Sequence, residues 1–215
     1  MNNDTIKKLI QSNSKRISKS HILCIGDLIL DQYIYGNVER MSPEAPVPIL
    51  SIKEENFQLG GVGNVARNIS SLGGKATIVS SIGKDFSSKY IEKLIKKEKN
   101  LKSDFVIDNN YSTPLKMRFL NNFNQLLRVD KEKVRVKSHT LHIKKIIEKI
   151  KKQIKYCDAI IISDYKKGLI TKEFIKEVVL LGKKNNKIIL ADPKNKDFKI
   201  YKGVDFLTPN QKELS

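Results

Sequence analysis

Two periods of apolar spacing alternate along this chain. Short, nearly continuous apolar runs recur at HILCIGD (21–27), ATIVSSIG (76–83), DAIIISD (158–164), KIILAD (187–192) and VDFLTP (204–209). Their length and β-branched content are those of strands buried on both faces. Between them the spacing changes to the helical period. Helices are predicted at 87–99, at 139–155 through Leu141, Ile143, Ile146, Ile147, Ile150 and Ile154, and at 171–184. Another follows the glycines near 60, with Val65, Ala66, Ile69 and Leu72 on one face and Gly73-Gly74 as its stop. Ile6, Leu9, Ile10 and Ile17 predict an N-terminal helix within residues 1–20.

Strand and helix in regular alternation predict an α/β fold with a doubly wound, mostly parallel sheet. Two segments break the rhythm. Residues 33–57 are rich in β-formers and hold three prolines, which reads as extended, edge-like structure. In PLKMRFLNNFNQLLRVD, Leu115, Met117 and Phe119 alternate with Lys116 and Arg118, predicting two strands around the turn 121–124. These pieces are expected to pair into a small separate sheet; DFVID (104–108) reads as a further strand.

Composition narrows the class. At 215 residues and 40% hydrophobic content, the chain fits one domain with a real core. It has no apolar run long enough to span a membrane, and its polar N-terminus lacks a signal-peptide core, so a cytoplasmic protein without a membrane partner is expected. Cys24 and Cys157 sit in apolar runs and read as buried free thiols. The net charge of +18 raises nucleic acid as a partner, but only six of the 41 basic residues are Arg and the Lys are dispersed. Arg does most base-edge and bidentate phosphate recognition, so drift toward Lys accounts for the charge better. His21, His139 and His142 have no metal-ligand spacing with acids or cysteines.

The candidate chemistry lies at the strand ends. Gly61, Gly63 and Ala66 match the dinucleotide pattern G-x-G-x-x-A, but the preceding segment is polar and the next strand ends without the ribose-binding acid. These glycines either pack a tight turn, or bring bare backbone N–H groups and the Asn64 amide to a ligand. Polar clusters follow four predicted strands: Asp27 and Asp31; Asp164, Lys166, Lys167 and Gly168; Asp192, Pro193 and Lys194; Thr208, Pro209, Asn210 and Glu213. Ligands of open α/β sheets bind at that edge. Four clusters there suggest a site for a sugar and for metal-bound phosphates.

These stretches carry a resemblance. GDLILDQYIYGNVERMSPEAPVPIL, GGVGNVARNISSLGG, STPLKMRFLNNFNQLLRVD, SDYKKGLIT and DPKNKDFKIYKGVDFLTPNQKEL together resemble the ribokinase-like (PfkB) sugar kinases. SPEAPVP and Q-L-x-R-x-D are closest to that family's D-glycero-β-D-manno-heptose-7-phosphate kinases. The resemblance implies a doubly wound sheet under a β-sheet lid formed by 33–57 and 115–130, a partial kinase domain over 21–215, and a homodimer through the lid. It implies that Asp27, Asp31, Gly60, Gly61 and Asn64 hold sugar hydroxyls. It places Asp164 and Lys167 near the sugar phosphate. Lys116, Arg118 and Arg128 either meet that phosphate or are surface charge on a strand. Lys194, Asn210, Gln211, Lys212 and Glu213 are implied at ATP, with Asn210 and Glu213 as outer-shell ligands of Mg²⁺. The implied reaction moves the γ-phosphoryl group of ATP to the anomeric hydroxyl of heptose 7-phosphate.

In that family the carboxylate accepting the hydroxyl proton lies in a later G-A-G-D type motif, for which residues 1–215 hold no counterpart. The base is therefore expected beyond Ser215, the C-terminal part of the fold is expected to be missing, and no turnover is expected of this stretch alone. A fragment, a split protein and a sugar-phosphate-binding remnant all fit that expectation. Another ribokinase-like sugar kinase is the alternative enzyme.

Overall fold

A computed structural model describes residues 13–132 and 140–214. Most of the predicted N-terminal helix lies outside them, as does His139; residues 13–17 are helical. Six parallel strands form the central sheet: β1 (His21–Gly26), β4 (Lys75–Val79), β6 (Leu101–Ser103), β10 (Ala159–Ser163), β11 (Ile188–Asp192) and β12 (Phe206–Leu207), ordered β12-β11-β10-β1-β4-β6. Alternation along each strand feeds two cores. Leu23, Ile25, Ile160, Ile162 and Ile189 pack under α3 (Thr140–Gln153) and α4 (Lys172–Lys184). Cys24, Ala76 and Ile78 pack under α1 (Val62–Ser71) and α2 (Phe86–Lys97) on the opposite face. The fold is a doubly wound α/β sheet, as the alternation of periods predicts.

A second sheet stands on this one. It has four strands ordered β3-β2-β8-β9, from β2 (Leu28–Met41), β3 (Pro48–Gly61), β8 (Leu115–Asn121) and β9 (Asn124–Lys131). β2 pairs antiparallel with β3 and parallel with β8, and β8 pairs antiparallel with β9. Its first strand begins five residues before the predicted segment. Leu28 and Leu30 are fully buried in the α1/α2 core, so the sheet is rooted in the hydrophobic interior. The predicted strand ATIVSSIG is broken at Ser80, whose buried hydroxyl donates to the Gly26 carbonyl at 2.6 Å. β5 (Ser81–Ile82) then leaves the main sheet to pair with β7 (Val106–Ile107), all that forms of DFVID as a strand. β6, with one apolar residue in three, carries no period to read. Leu72 is 62% exposed because the helix has ended before it. β12 is only two residues long, and Phe206 is more than half exposed at that edge.

α4 is fixed at its start by Thr171, whose hydroxyl accepts the Phe174 N–H at 3.2 Å, and by the fully buried Phe174 ring. Phe174→Ala is expected to cost about 3–5 kcal/mol by emptying the space between α4 and the sheet, read as a lower urea midpoint with an unchanged slope.

Candidate functional site

Because the six strands are parallel, their C-terminal ends share one rim, and neighbouring strands are tied there by backbone bonds. Asp27 N–H donates to the Ser163 carbonyl at 3.2 Å, Asp164 N–H to Asp192 at 3.0 Å and Thr208 N–H to Ala191 at 3.0 Å. Asp27 and Asp164, each 3% exposed, therefore stand on adjacent strand ends. The Asp27 carboxylate accepts N–H bonds from Tyr165 at 2.9 Å and Lys167 at 3.1 Å, so it shapes the S-D-Y-K-K-G loop from within. Burial pushes its carboxyl above the ordinary aspartate range and Asp164 adds to the push, while the Lys167, Tyr165 and Leu169 N–H groups oppose it. Asp164 accepts from the Lys166 N–H at 2.8 Å, with Lys166 in the left-handed region at φ 55°. Its other oxygen accepts the buried Tyr201 hydroxyl, whose pKa is raised by burial and by that bond.

The two glycines answer to geometry. Gly61 ends β3 at φ 58°, and a Cβ there would lie 2.2 Å from the Asp27 carbonyl oxygen. That same carbonyl accepts the first N–H of α1, from Val62, at 3.0 Å. A Cβ on Gly60 would lie 2.2 Å from the Asp31 carboxylate. The pair therefore seats strand β3 against both acids, leaving Asn64 exposed on the first turn of α1 beside Arg67.

Asp31 lies within β2 and not at the end of β1, where the sequence spacing puts it, and this brings it to the second sheet. Register aligns Gln58, Asp31, Lys116 and Asp130 in one row across that sheet, and Asn56, Tyr33, Arg118 and Arg128 in the next row on the same face. Arg118 pairs with Asp31 at 2.6 Å and lies 5.1 Å from the Tyr33 ring centre; Arg128 pairs with Asp130 at 3.0 Å. Lys167 reaches from the rim to Glu132, just past β9, at 2.6 Å. The Lys116 ammonium lies 6.0 Å from the Tyr165 ring centre. Burial lowers its pKa below the usual lysine range and Lys167 lowers it further, against Asp130 and Asp31. The structure thus brings Asp31, Lys116, Arg118, Arg128 and Lys167 together between lid and rim.

A second polar group sits at the β11 and β12 ends. Asn210 and Glu213 cap the short helix α5 (Gln211–Leu214) reciprocally, the Asn210 N–H donating to Glu213 at 2.9 Å and the Glu213 N–H to Asn210 at 3.1 Å. Lys194 donates to the other Glu213 oxygen at 3.0 Å. The Asn210 N–H, then Lys194, hold the Glu213 carboxyl below its ordinary range, and that bond raises Lys194. Asp192 is raised by burial and by facing Glu213. Gln211 and Lys212 are exposed on α5. Among the described residues no three His, Cys, Asp or Glu side chains converge on a point. With both Glu213 oxygens engaged, this donor set fits Mg²⁺ held through water better than direct coordination.

Comparison with known proteins agrees with this architecture. The profile described as pfkB family carbohydrate kinase matches residues 19–215. The chain belongs to the pfkB carbohydrate kinase family. Among pfkB relatives, it is 40% identical over 195 residues to the bifunctional protein HldE of Aliarcobacter butzleri, covering 91% of this chain and 41% of that protein. It is 37% identical over 199 residues to HldE of Rhodospirillum rubrum, covering 93% and 40%. This pfkB chain thus spans about two fifths of the curated relatives it matches. Its fold is shared with a carbohydrate kinase from Agrobacterium tumefaciens, at TM-score 0.64, 17% identity and coverage of 87% and 60%. It is shared too with phosphofructokinase-2 from Escherichia coli, at TM-score 0.66, 20% identity and coverage of 91% and 62%.

Sequence reasoning missed three residues here. Tyr165 and Tyr201 lie inside quoted motifs and Glu132 two residues past one, and each contacts a residue already singled out. Tyr201 gave no signal, since nothing in KIYKG marks a tyrosine that bonds 37 residues back. Tyr201→Phe leaves the buried Asp164 oxygen without its donor, and a loss of about 1–3 kcal/mol is expected in thermal or denaturant unfolding.

Proposed function

We propose that this chain is the sugar-facing part of a kinase acting on a phosphorylated sugar, with D-glycero-β-D-manno-heptose 7-phosphate as the substrate and the anomeric hydroxyl as acceptor. One observation carries the reading: acids and bases alternate on one face of the lid, where Lys116 meets the Tyr165 ring of the rim and Glu132 meets Lys167. Asp31 and Asp27 suit hydroxyl groups, as hydrogen-bond acceptors. Lys116, Arg118, Arg128 and Lys167 suit a phosphate. Lys116 in particular is desolvated beside another lysine, a strain that a bound dianion relieves.

In this reading the lid strands β2, β3, β8 and β9 cover the sugar and exclude water. Asp164, pinned by Tyr201 and the Lys166 N–H, holds the loop that carries Lys167. Lys194, Asn210, Gln211, Lys212 and Glu213 face the ATP phosphates, and Glu213 and Asn210 receive the water shell of Mg²⁺. When bound, Mg²⁺ neutralises charge on the transferring group. The proton acceptor for the sugar hydroxyl is assigned to a glycine–aspartate segment, and the residues named above bind and orient the two substrates.

Support for heptose over other sugars comes from the HldE relatives and from SPEAPVP, which forms the tip between β2 and β3. Calorimetric titration with heptose 7-phosphate tests the assignment. Saturable binding is expected, weakened at least ~10-fold, or about 1.4 kcal/mol, by Lys116→Gln. Binding of fructose phosphates in preference to the heptose would transfer the assignment to another sugar kinase. Binding of neither would end it.

The other face of the lid is the proposed dimer contact. Phe119 and Leu127 are register partners there, as are Met117 and Val129, and Leu127 is 55% exposed. Leu127→Asp is expected to shift the sedimentation profile from dimer to monomer; a wild-type monomer at all concentrations would remove the proposal.

A further inference from the structure

At the opposite end of the main sheet, away from the rim, a cavity of about 250 Å³ is lined by His21, Lys75, Lys99, Asn100 and Lys102. His21 opens β1, Lys75 opens β4 and Lys102 lies in β6. Parallel register sets His21 beside Lys75 and Thr77 beside Lys102, so His21, Lys75 and Lys102 project from the same face of the sheet. Lys99 and Asn100 come from the turn entering β6, where the Asn100 amide donates to the Gly73 carbonyl at 3.3 Å.

The lining is one-signed. It includes no acid, whereas the concave surface along α3 includes Glu148 and the one at the lid tip includes Glu54. Lys75, Lys99 and Lys102 form no ion pair among the described residues. Asp158, at the same end of the sheet, is not among the lining residues; its carboxylate accepts the His21 backbone N–H at 2.8 Å. The His21 ring is a fixed wall. Its Nδ1 lies 2.8 Å from the Tyr156 carbonyl, to which it donates, and its Nε2 lies 2.8 Å from the Thr77 hydroxyl.

Here parallel register brings Lys75 and Lys102, and the turn entering β6 brings Lys99, around one hollow. We propose that this hollow is a second anion site, taking a small phosphate-bearing molecule of about the size of pyrophosphate. Three ammonium groups provide the charge, and the Asn100 side chain a polar wall. Its volume, just below that of ordinary small-molecule sites, suits a ligand no larger than pyrophosphate. β1 connects it to the rim: the six residues from His21 to Gly26 span about 20 Å, so this is a site separate from the one under the lid.

The test titrates the full chain with inorganic pyrophosphate at about 150 mM salt, where diffuse attraction is screened, following heat and the NMR shifts of His21, Thr77 and Lys102. Saturable binding with shifts at these residues is expected. The triple variant Lys75→Gln, Lys99→Gln, Lys102→Gln should weaken it at least ~10-fold. The triple variant Lys172→Gln, Lys176→Gln, Lys184→Gln, on the exposed face of α4, should leave it unchanged. Absence of saturation, equal weakening by both triples, or shifts confined to Lys116 and Lys167 would each overturn the proposal. The last of these outcomes would leave the sugar-phosphate reading of the rim intact.

Discussion

Two buried carboxylates on neighbouring strand ends are the constraint around which this molecule is organised. Asp27 and Asp164 cannot be hydrated where they stand, so each must be met by donors from the chain. The donors are the N–H groups of Tyr165, Lys166 and Lys167 and the hydroxyl of Tyr201. Meeting them folds the S-D-Y-K-K-G loop into one shape, with Lys166 in a backbone conformation that side chains seldom adopt. The same requirement draws the segment before β12 back to the β10 end through Tyr201. A polar cost in the interior is thereby converted into a rigid rim, and the basic side chains that meet the lid are carried on it.

The lid depends on a different rule, strict alternation. Leu30, Leu59 and Leu115 root one face in the α1/α2 core, and this obliges Asp31, Lys116 and Asp130 to share the other. Hydrophobic burial at the base thus decides where the charged groups stand. The ion pairs Asp31–Arg118 and Lys167–Glu132 then hold the charges in mutual neutralisation until something competes for them.

Much of this was legible in the chain because it is periodic. Buried strands, amphipathic helices and the alternation of Leu115, Met117 and Phe119 are local signals, and they led to the α/β class and the two-sheet division. The glycine pair was legible as a close approach but not as an approach to Asp27 and Asp31, since the partner strand is set by pairing over some thirty residues. The same non-locality hid Glu132 and Tyr201. N-x-x-E read as ligand chemistry, whereas in the structure it is also a capping box that starts α5, and both descriptions use the same two side chains. The three-residue β6 was invisible because nothing so short, with one apolar position, has a period.

The lid's register also has a bearing on how such a sequence diverges. β8 and β9 keep step from Leu115 to Phe119, then slip at the irregularity between Phe119 and Leu120. Substitutions along this hairpin alter single contacts, but an inserted or deleted residue below the slip would exchange inner for outer side chains in one stroke. Above it, toward Asn122 and Phe123, the step is already lost. Length variation among descendants of this chain should therefore accumulate at the hairpin tip and be purged from its stem.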